Sequence, residues 1–285
     1  MKRYHIYMLL GLLLGGCAPQ PTSHEPTIYV SILPLKSLVE AITDNDFRVE
    51  VLVPPGASPE TFEPTPRQLI ALNEAQWVFQ VGLIDFETAL LSRIKNQKRI
   101  VPLHKGIDLL SGSCSHSHHV CNGHHQHGID PHIWTSPRAL KTMAATIYQT
   151  IHTTLPDSLR YTENFARLQD RLTALDKETA AQIAASGVQK FIVYHPAMSY
   201  YARDYGLQQQ AIEQDGKEPS ARQLKTLIEE ARKSGIRIIL YQRQFPRSTV
   251  ETIASDIGAE AVEFDPLAED VVANIAAITL QITRQ

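Results

Sequence analysis

The sequence lacks the short motifs that mark the common catalytic and nucleotide-binding folds. It contains no HExxH, no GxSxG, no P-loop and no GxGxxG, so a single-helix zinc hydrolase, a serine hydrolase and a dinucleotide-binding domain have no support. It also lacks an excess of charge of one sign, because 27 basic residues stand against 30 acidic ones and the formal net charge is -3. Such a balance gives no broad positive field for phosphate groups. We therefore predict a protein that binds no nucleic acid.

The apolar run near the N-terminus is too short to span a bilayer. Two basic residues precede an uncharged run over residues 6–16, whereas a membrane-spanning helix needs about 20 residues. This pattern is typical of an export signal. The run ends in Leu-Gly-Gly before Cys17, which resembles the bacterial lipobox. We predict a signal peptide over 1–16, lipidation of Cys17 and a tether over 17–26, so that the protein is exported and anchored to a membrane, facing the periplasm or the cell exterior. A plain secretory signal is the alternative.

Cysteine is scarce, with only three in the chain. Apart from Cys17 these are Cys114 and Cys121, which lie in a segment rich in histidine. Disulfides persist outside the cytoplasm, so we predict that Cys114 and Cys121 form one. The alternative is that both thiols stay reduced and bind metal together with the neighbouring imidazoles.

Histidine, in contrast, is concentrated in one place. Six of the 12 histidines fall within this segment; they are His116, His118, His119, His124, His125 and His127. Several imidazoles on a short glycine-containing segment form a multivalent ligand for zinc. We interpret these histidines as an accessory site that captures metal; a spacer or a general metal buffer is the alternative.

The remaining sequence indicates an α/β fold. With 43% apolar and 20% charged residues, the chain is long enough for two medium domains. Short β-rich runs alternate with helical patterns, which is typical of parallel sheets built from βαβ units. We predict an N-terminal lobe over 27–156 with the histidine-rich loop at 113–128, one long linking helix over 157–186 and a C-terminal lobe over 187–285. Each lobe should hold a mainly parallel sheet flanked by helices. A single doubly wound domain with a helical insertion is the competing interpretation.

Strands and helix starts can be placed from periodicity and capping residues. Predicted strands are Thr27–Ile32, Arg48–Val53, Gln76–Val81, Arg99–Pro102, Lys190–Tyr194, Ile236–Tyr241 and Glu260–Phe264. Helices are expected to begin at Pro66 and Pro137, and capping boxes at Ser220 with Gln223 and at Ser248 with Glu251.

Four candidate ligands stand beyond or near predicted strand ends. Glu60 lies in the loop after the second strand, and His195 and Asp265 directly follow predicted strands. His132 comes just after the histidine-rich segment. Because open parallel sheets bind ligands beyond the carboxyl ends of their strands, we expect these side chains to meet. Two imidazoles and two carboxylates suit a divalent cation such as zinc or manganese.

Several strings of residues resemble one family. They are Pro-Pro-Gly-Ala-Ser-Pro at 54–59, Phe-Glu-Pro-Thr-Pro at 62–66, Asp-Pro-His-Ile-Trp at 130–134, Tyr-His at 194–195, Glu-Pro-Ser at 218–220 and Asp-Pro-Leu at 265–267. In their order and spacing they resemble the zinc/manganese solute-binding proteins of bacterial ABC importers. The resemblance runs from Thr27 to the C-terminus. It implies two lobes joined by a long backbone helix, with one metal ion held between them.

The resemblance also implies which residues bind the metal. The four ligands of the family correspond to Glu60, His132, His195 and Asp265. Most relatives have histidine where Glu60 stands, and a carboxylate there makes the site harder, which favours manganese or iron. It could also leave three ligands completed by water. The histidine-rich loop, found in the zinc receptors of the family, favours zinc.

The function that the resemblance implies is capture and delivery of metal without chemistry on it, so we predict that the protein is not an enzyme. The partners would be an ABC permease and its ATPase, with the receptor acting as a monomer beside the membrane. A manganese or iron receptor of the same family is the first alternative. A secreted zinc buffer, an adhesin, or a metal-dependent hydrolase with Glu63 as base are the others.

Overall fold

The computed structural model describes residues 26–111, 128–156, 158–213 and 217–284. The predictions for the signal peptide, for Cys17, for the Cys114–Cys121 pair and for the six clustered histidines lie outside the described residues. Within the described part of the chain, no helix is both long and apolar enough to cross a membrane.

The first lobe is built on a parallel four-stranded sheet. Its elements are β1 (Thr27–Val30), α1 (Leu33–Thr43), β2 (Arg48–Val51), α2 (Pro66–Glu74), β3 (Trp77–Gln80), α3 (Asp85–Leu91) and β4 (Ile100–Pro102). The helix α4 (Pro137–Thr154) comes after the last strand of this sheet. The strand order is β2-β1-β3-β4. Buried Val30 on β1 lies opposite Val51 on one neighbour and Phe79 on the other. This places β1 in the middle of the sheet, as its apolar run predicts.

Helix starts follow the predicted capping residues in most places. Thr65 and Gln68 form a capping box before α2, with Pro66 in the first turn, and Ser136 caps α4. In the second lobe the predicted box of Ser220 with Gln223 is confirmed.

One long helix joins the lobes. It is α5 (Leu159–Ser186), with 28 residues and therefore a length of about 42 Å. It packs against α4, against α1 of the first lobe, and against the last helix of the second lobe. A single buried apolar cluster contains Leu38 from α1, Leu172 from α5 and Ile278 from the second lobe. The long helix is thus part of a core that runs between the lobes.

The second lobe repeats the architecture of the first. Its elements are β5 (Lys190–Val193), α6 (Ser199–Tyr205), β6 (Gln208–Ala211), α7 (Ala221–Lys233), β7 (Ile238–Tyr241), α8 (Arg247–Ile257), β8 (Glu260–Glu263) and α9 (Val271–Ile282). Its four strands are parallel in the order β6-β5-β7-β8. Two parallel sheets flanked by helices and joined by one long helix confirm the predicted fold class.

The structure of this lobe differs from the sequence predictions in two places. Strand β6 was not predicted, because its polar sequence gives no apolar periodicity. The capping box predicted at Ser248 and Glu251 is wrong. Helix α8 begins two residues earlier than that box would place it, after Pro246 and without a side-chain cap, and Glu251 accepts a hydrogen bond from Arg247 at 2.7 Å.

The two ends of the histidine-rich segment are held together by a stem. Ser111 and Ile129 form an antiparallel bridge, and the Asp130 amide donates to the Leu110 carbonyl at 2.9 Å. The buried Tyr200 hydroxyl on α6 accepts from the Leu110 amide at 3.1 Å and donates to the Asp130 carbonyl at 2.8 Å. The stem is therefore fastened to the second lobe.

Candidate metal centre

Three of the four predicted ligands converge at one point. Glu60 lies in the loop between β2 and α2, His132 stands just before the short 3-10 turn Ile133–Thr135, and His195 lies two residues after β5. One ligand atom from each of these residues lies within 4.8 Å of the other two. The two histidines are buried, whereas the Glu60 side chain is 43% exposed. A ligand here is enclosed by imidazoles and approached from the Glu60 side.

The separations of the three ligand atoms suit a small cation. Nε2 of His195 lies 3.3 Å from Nε2 of His132 and 3.0 Å from Oε1 of Glu60. Oε1 of Glu60 lies 3.9 Å from Nε2 of His132. A tetrahedral zinc ion with bonds of about 2.0–2.1 Å separates its ligand atoms by about 3.4 Å. The three atoms therefore approximate one face of such a tetrahedron, and the donor set suits a borderline divalent cation.

Asp130 orients the imidazole of His132. Its Oδ1 accepts hydrogen bonds from the backbone amide of His132 at 2.9 Å and from the ring Nδ1 at 2.8 Å. Burial alone would raise the pKa of Asp130, but the hydrogen bond from His132 holds it below the usual range. An ionised Asp130 keeps the proton on Nδ1 and leaves Nε2 free for a metal.

Glu213 has the same relation to His195. It follows β6, which pairs with β5, and its amide donates to the Tyr194 carbonyl at 2.9 Å. Oε2 of Glu213 lies 3.1 Å from Nδ1 of His195. The carboxylate is buried, with 8% exposure. Each metal-facing imidazole thus has a carboxylate behind it, placed by the ends of adjacent strands for His195 and by the residue two positions earlier for His132.

The site holds negative charge that a cation would balance. Burial alone would lower the pKa of His195, but the hydrogen bonds to Glu213 and Glu60 raise it to about 9. Burial alone would raise the pKa of Glu60, yet its hydrogen bond with His195 leaves it below the ordinary value. At neutral pH the metal-free site therefore contains ionised Glu60 next to protonated His195. A metal ion would take the place of that proton.

The surrounding cavity is small and partly apolar. Its free volume is about 30 Å³, and Ile84, Trp134, Phe245 and Leu267 are among the residues that line it. The Phe245 ring stacks on His195 with centroids 5.8 Å apart. The indole nitrogen of Trp134 donates to the Pro266 carbonyl at 2.9 Å, which joins the turn after His132 to the loop after β8.

Asp265 lies outside the group of three. It is exposed, and its Oδ1 accepts from the Leu267 amide at 2.8 Å. Its side chain lines a second cavity beside Pro54 and Gly56. The loop after β8 contributes Pro266 and Leu267 to the wall of the metal cavity instead. Asp265 as a fourth ligand stays a prediction.

Three residues of the site, Asp130, Glu213 and Gln242, have no role predicted from the sequence. Asp130 stood within a quoted motif, and its position two residues before His132 was a usable signal. Glu213 followed an unpredicted strand. Gln242 follows β7 and lines the cavity, but it belongs to no recognised motif. The candidate base Glu63 is exposed and is not in the group of three.

Comparisons with known proteins agree with this fold. The family described as "Zinc-uptake complex component A periplasmic" matches residues 28–277. The zinc-binding protein AdcA of Streptococcus pyogenes serotype M3 is 26% identical over 257 residues, which cover 84% of this chain and 50% of that protein. The zinc-binding lipoprotein AdcA of Streptococcus pneumoniae serotype 4 is 26% identical over 281 residues, covering 94% of this chain and 56% of that protein. The chain thus spans about half the length of these curated relatives.

A solved structure extends the match to three dimensions. The crystal structure of a ZnuA deletion mutant with zinc bound superposes with a TM-score of 0.80 at 35% sequence identity. The match covers 90% of this chain and 96% of that chain. The resemblance seen in the sequence motifs is confirmed, and the chain belongs to the family of periplasmic zinc-uptake complex component A proteins.

Proposed function

We propose that the protein is an extracytoplasmic receptor that binds a divalent cation, zinc first of all, and delivers it to an ABC importer. The observation that supports this proposal most is the convergence of two imidazole nitrogens and one carboxylate oxygen at separations of 3.0–3.9 Å. Asp130 and Glu213 hold the Nδ1 atoms of the two imidazoles, which directs the Nε2 atoms towards a metal ion, as is usual for metal-binding histidines. Capture and release of the ion is the whole of the activity.

Zinc is favoured over manganese by the two histidines. Imidazole is a good ligand for zinc, whereas manganese prefers oxygen. Relatives named as zinc-binding proteins and a zinc-bound structure in the family point the same way. Glu60 in place of a third histidine hardens the site, so manganese is the alternative. The proposed ligands are Glu60, His132 and His195, with Asp265 as a further candidate.

The exported, lipid-anchored location fits this role. The Streptococcus pneumoniae relative is named a lipoprotein, and Cys17 is the residue proposed to carry the lipid. A membrane anchor would keep the receptor near its permease and ATPase, which take up the ion from the monomeric receptor. The histidines between His116 and His127 would raise the local concentration of zinc.

Metal analysis and competitive titration of the purified protein test the proposal. We expect zinc to bind at the cavity. Loss of a hydrogen-bond partner behind a metal ligand weakens metal binding about 10–100-fold, and we expect His195→Ala, which removes a ligand itself, to weaken zinc binding by more than this. His152→Ala, on the far end of α4, is the matched histidine control. If His195→Ala bound zinc as tightly as wild type, the site would be misplaced.

A measurement in cells separates the receptor from its alternatives. A strain without the gene should lose zinc uptake under zinc starvation and regain it with the wild-type gene. A zinc buffer, an adhesin or a hydrolase would leave the uptake rate unchanged.

A further inference from the structure

A buried amide on the wall of the metal cavity has an oxygen without a partner. Gln242 is only 1% exposed, and its Nε2 donates to the backbone carbonyl of His195 at 3.3 Å. Its Oε1 is buried and has no hydrogen-bond partner among the described residues. Buried polar atoms are nearly always paired, so an unpaired one calls for a specific explanation.

The orientation of this amide is fixed by its neighbour. If the group were turned over, Oε1 would face the His195 carbonyl, and two acceptors would be in contact. The amide therefore keeps Nε2 on His195. Gln242 lines the same cavity as Glu60 and His132, so a ligand held in this cavity is the candidate partner for Oε1.

The metal site leaves a position open for such a partner. Zinc sites are almost always four-coordinate, and the group of three supplies three protein ligands. The free volume of about 30 Å³ exceeds the about 10–15 Å³ that one water molecule requires. Water bound to zinc is acidified by the ion and is a strong hydrogen-bond donor. A neutral amide oxygen, by contrast, is not among the usual ligands of zinc.

We propose that Oε1 of Gln242 accepts a hydrogen bond from a water molecule that occupies the fourth position on the bound metal. Gln242 then acts as a positioning residue for the metal-bound water and, through Nε2, for His195. The inference rests on the proposed metal-binding function and adds the residue that completes the site.

The test compares Gln242→Met with Gln281→Met in the full chain. Gln281 lies on α9 and also has a buried Oε1 without a hydrogen-bond partner among the described residues, but it does not line the cavity. We expect Gln242→Met to weaken zinc binding at the cavity by about tenfold, within the range for loss of an outer-shell partner. Gln281→Met should bind zinc as wild type does.

A second measurement distinguishes water positioning from support of His195. In the cobalt-substituted protein, azide can displace the metal-bound water, and visible absorption reports the exchange. Oε1 of Gln242 repels an anion but attracts a water hydrogen, so Gln242→Met should bind azide several-fold more tightly while it binds the metal less tightly. A residue that only supported His195 would not strengthen azide binding.

The outcomes separate the two proposals. If wild type bound no zinc in the cavity, the receptor function itself would fail. If wild type bound zinc and Gln242→Met matched it in zinc or azide affinity, only the role of Gln242 would be refuted. If Asp265→Asn instead caused the tenfold loss and Gln242→Met did not, Asp265 would be the residue that completes the site.

Discussion

Zinc binding by this protein should depend strongly on pH above neutrality because of one histidine. Burial alone would lower the pKa of His195, but the hydrogen bonds that its ring donates to Glu213 and Glu60 raise this pKa to about 9. The metal needs the unprotonated Nε2, so binding near pH 7 must release the proton of His195. An isolated histidine with a pKa of about 6.5 would release only about a quarter of a proton at pH 7 and almost none above pH 8.

The size of the effect follows from that pKa. Between pH 7 and 8 the apparent zinc affinity should tighten about tenfold, and between pH 8 and the pKa of about 9 about fivefold more, which makes about fiftyfold in all. Glu213→Gln keeps a hydrogen-bond acceptor but removes the charge. In that variant the pKa of His195 falls, and the affinity should rise less over the same range.

The folding stability of the metal-free protein should change with pH in the opposite direction to the zinc affinity. A histidine whose pKa is higher in the folded than in the unfolded state stabilises the fold while it is protonated. This contribution is complete below pH 6.5 and is lost as pH rises through about 9. For the His195 side chain, only 11% exposed, it amounts to about 3 kcal/mol. The metal-free form should therefore become less stable over the range in which zinc binds more tightly.

Chelator competition between pH 7 and 9, corrected for protonation of the chelator, measures the affinity. Calorimetry in two buffers with different ionisation enthalpies counts the protons released on binding, and denaturant unfolding of the metal-free protein gives its stability. A zinc affinity that stays constant between pH 7 and 8.5, with no proton released, would refute the role assigned to His195 and Glu213.

Three further outcomes are expected. Asp130→Asn should weaken zinc binding about 10–100-fold in a chelator competition, whereas the exposed carboxylate control Glu63→Gln should not. Glu60→His should raise the ratio of zinc to manganese affinity in parallel titrations, and an unchanged ratio would mean that Glu60 does not bind the metal. Deletion of residues 113–127 should remove additional zinc equivalents and slow growth under zinc starvation, while the cavity keeps its affinity; unchanged stoichiometry and growth would exclude the capture role.

The meeting of distant ligands was predictable because open parallel sheets bind ligands beyond the carboxyl ends of their strands, and here one strand from each lobe ends towards the same site. Glu60 and His195 are far apart in sequence, but each follows a strand that apolar periodicity identifies. His132 was predicted from its motif and its place before a helix. The direction of a side chain beyond a strand end is less predictable. Asp265 follows β8 as expected, yet its Oδ1 accepts from the Leu267 amide within a turn, and the residue lines another cavity.

The outer partners of the site were harder to predict. Glu213 is placed by β6, whose sequence Gln-Gln-Gln-Ala has no apolar alternation and forms a strand because it pairs with β5 at the edge of the sheet. Gln242 is recognisable only from its unpartnered oxygen. Hydrophobic patterns describe the core well, but hydrogen bonds between separate loops require the assembled fold.

The stem below the histidine-rich segment makes the content of that segment exchangeable. Ser111 pairs with Ile129, and Tyr200 holds Leu110 and Asp130, so the spacing of the two ends is set by residues outside the segment. A peptide of another length or composition can therefore be spliced between these ends while Asp130 continues to orient His132. The position offers a graft site for a fluorescent reporter or an affinity peptide, which would turn the receptor into a metal biosensor.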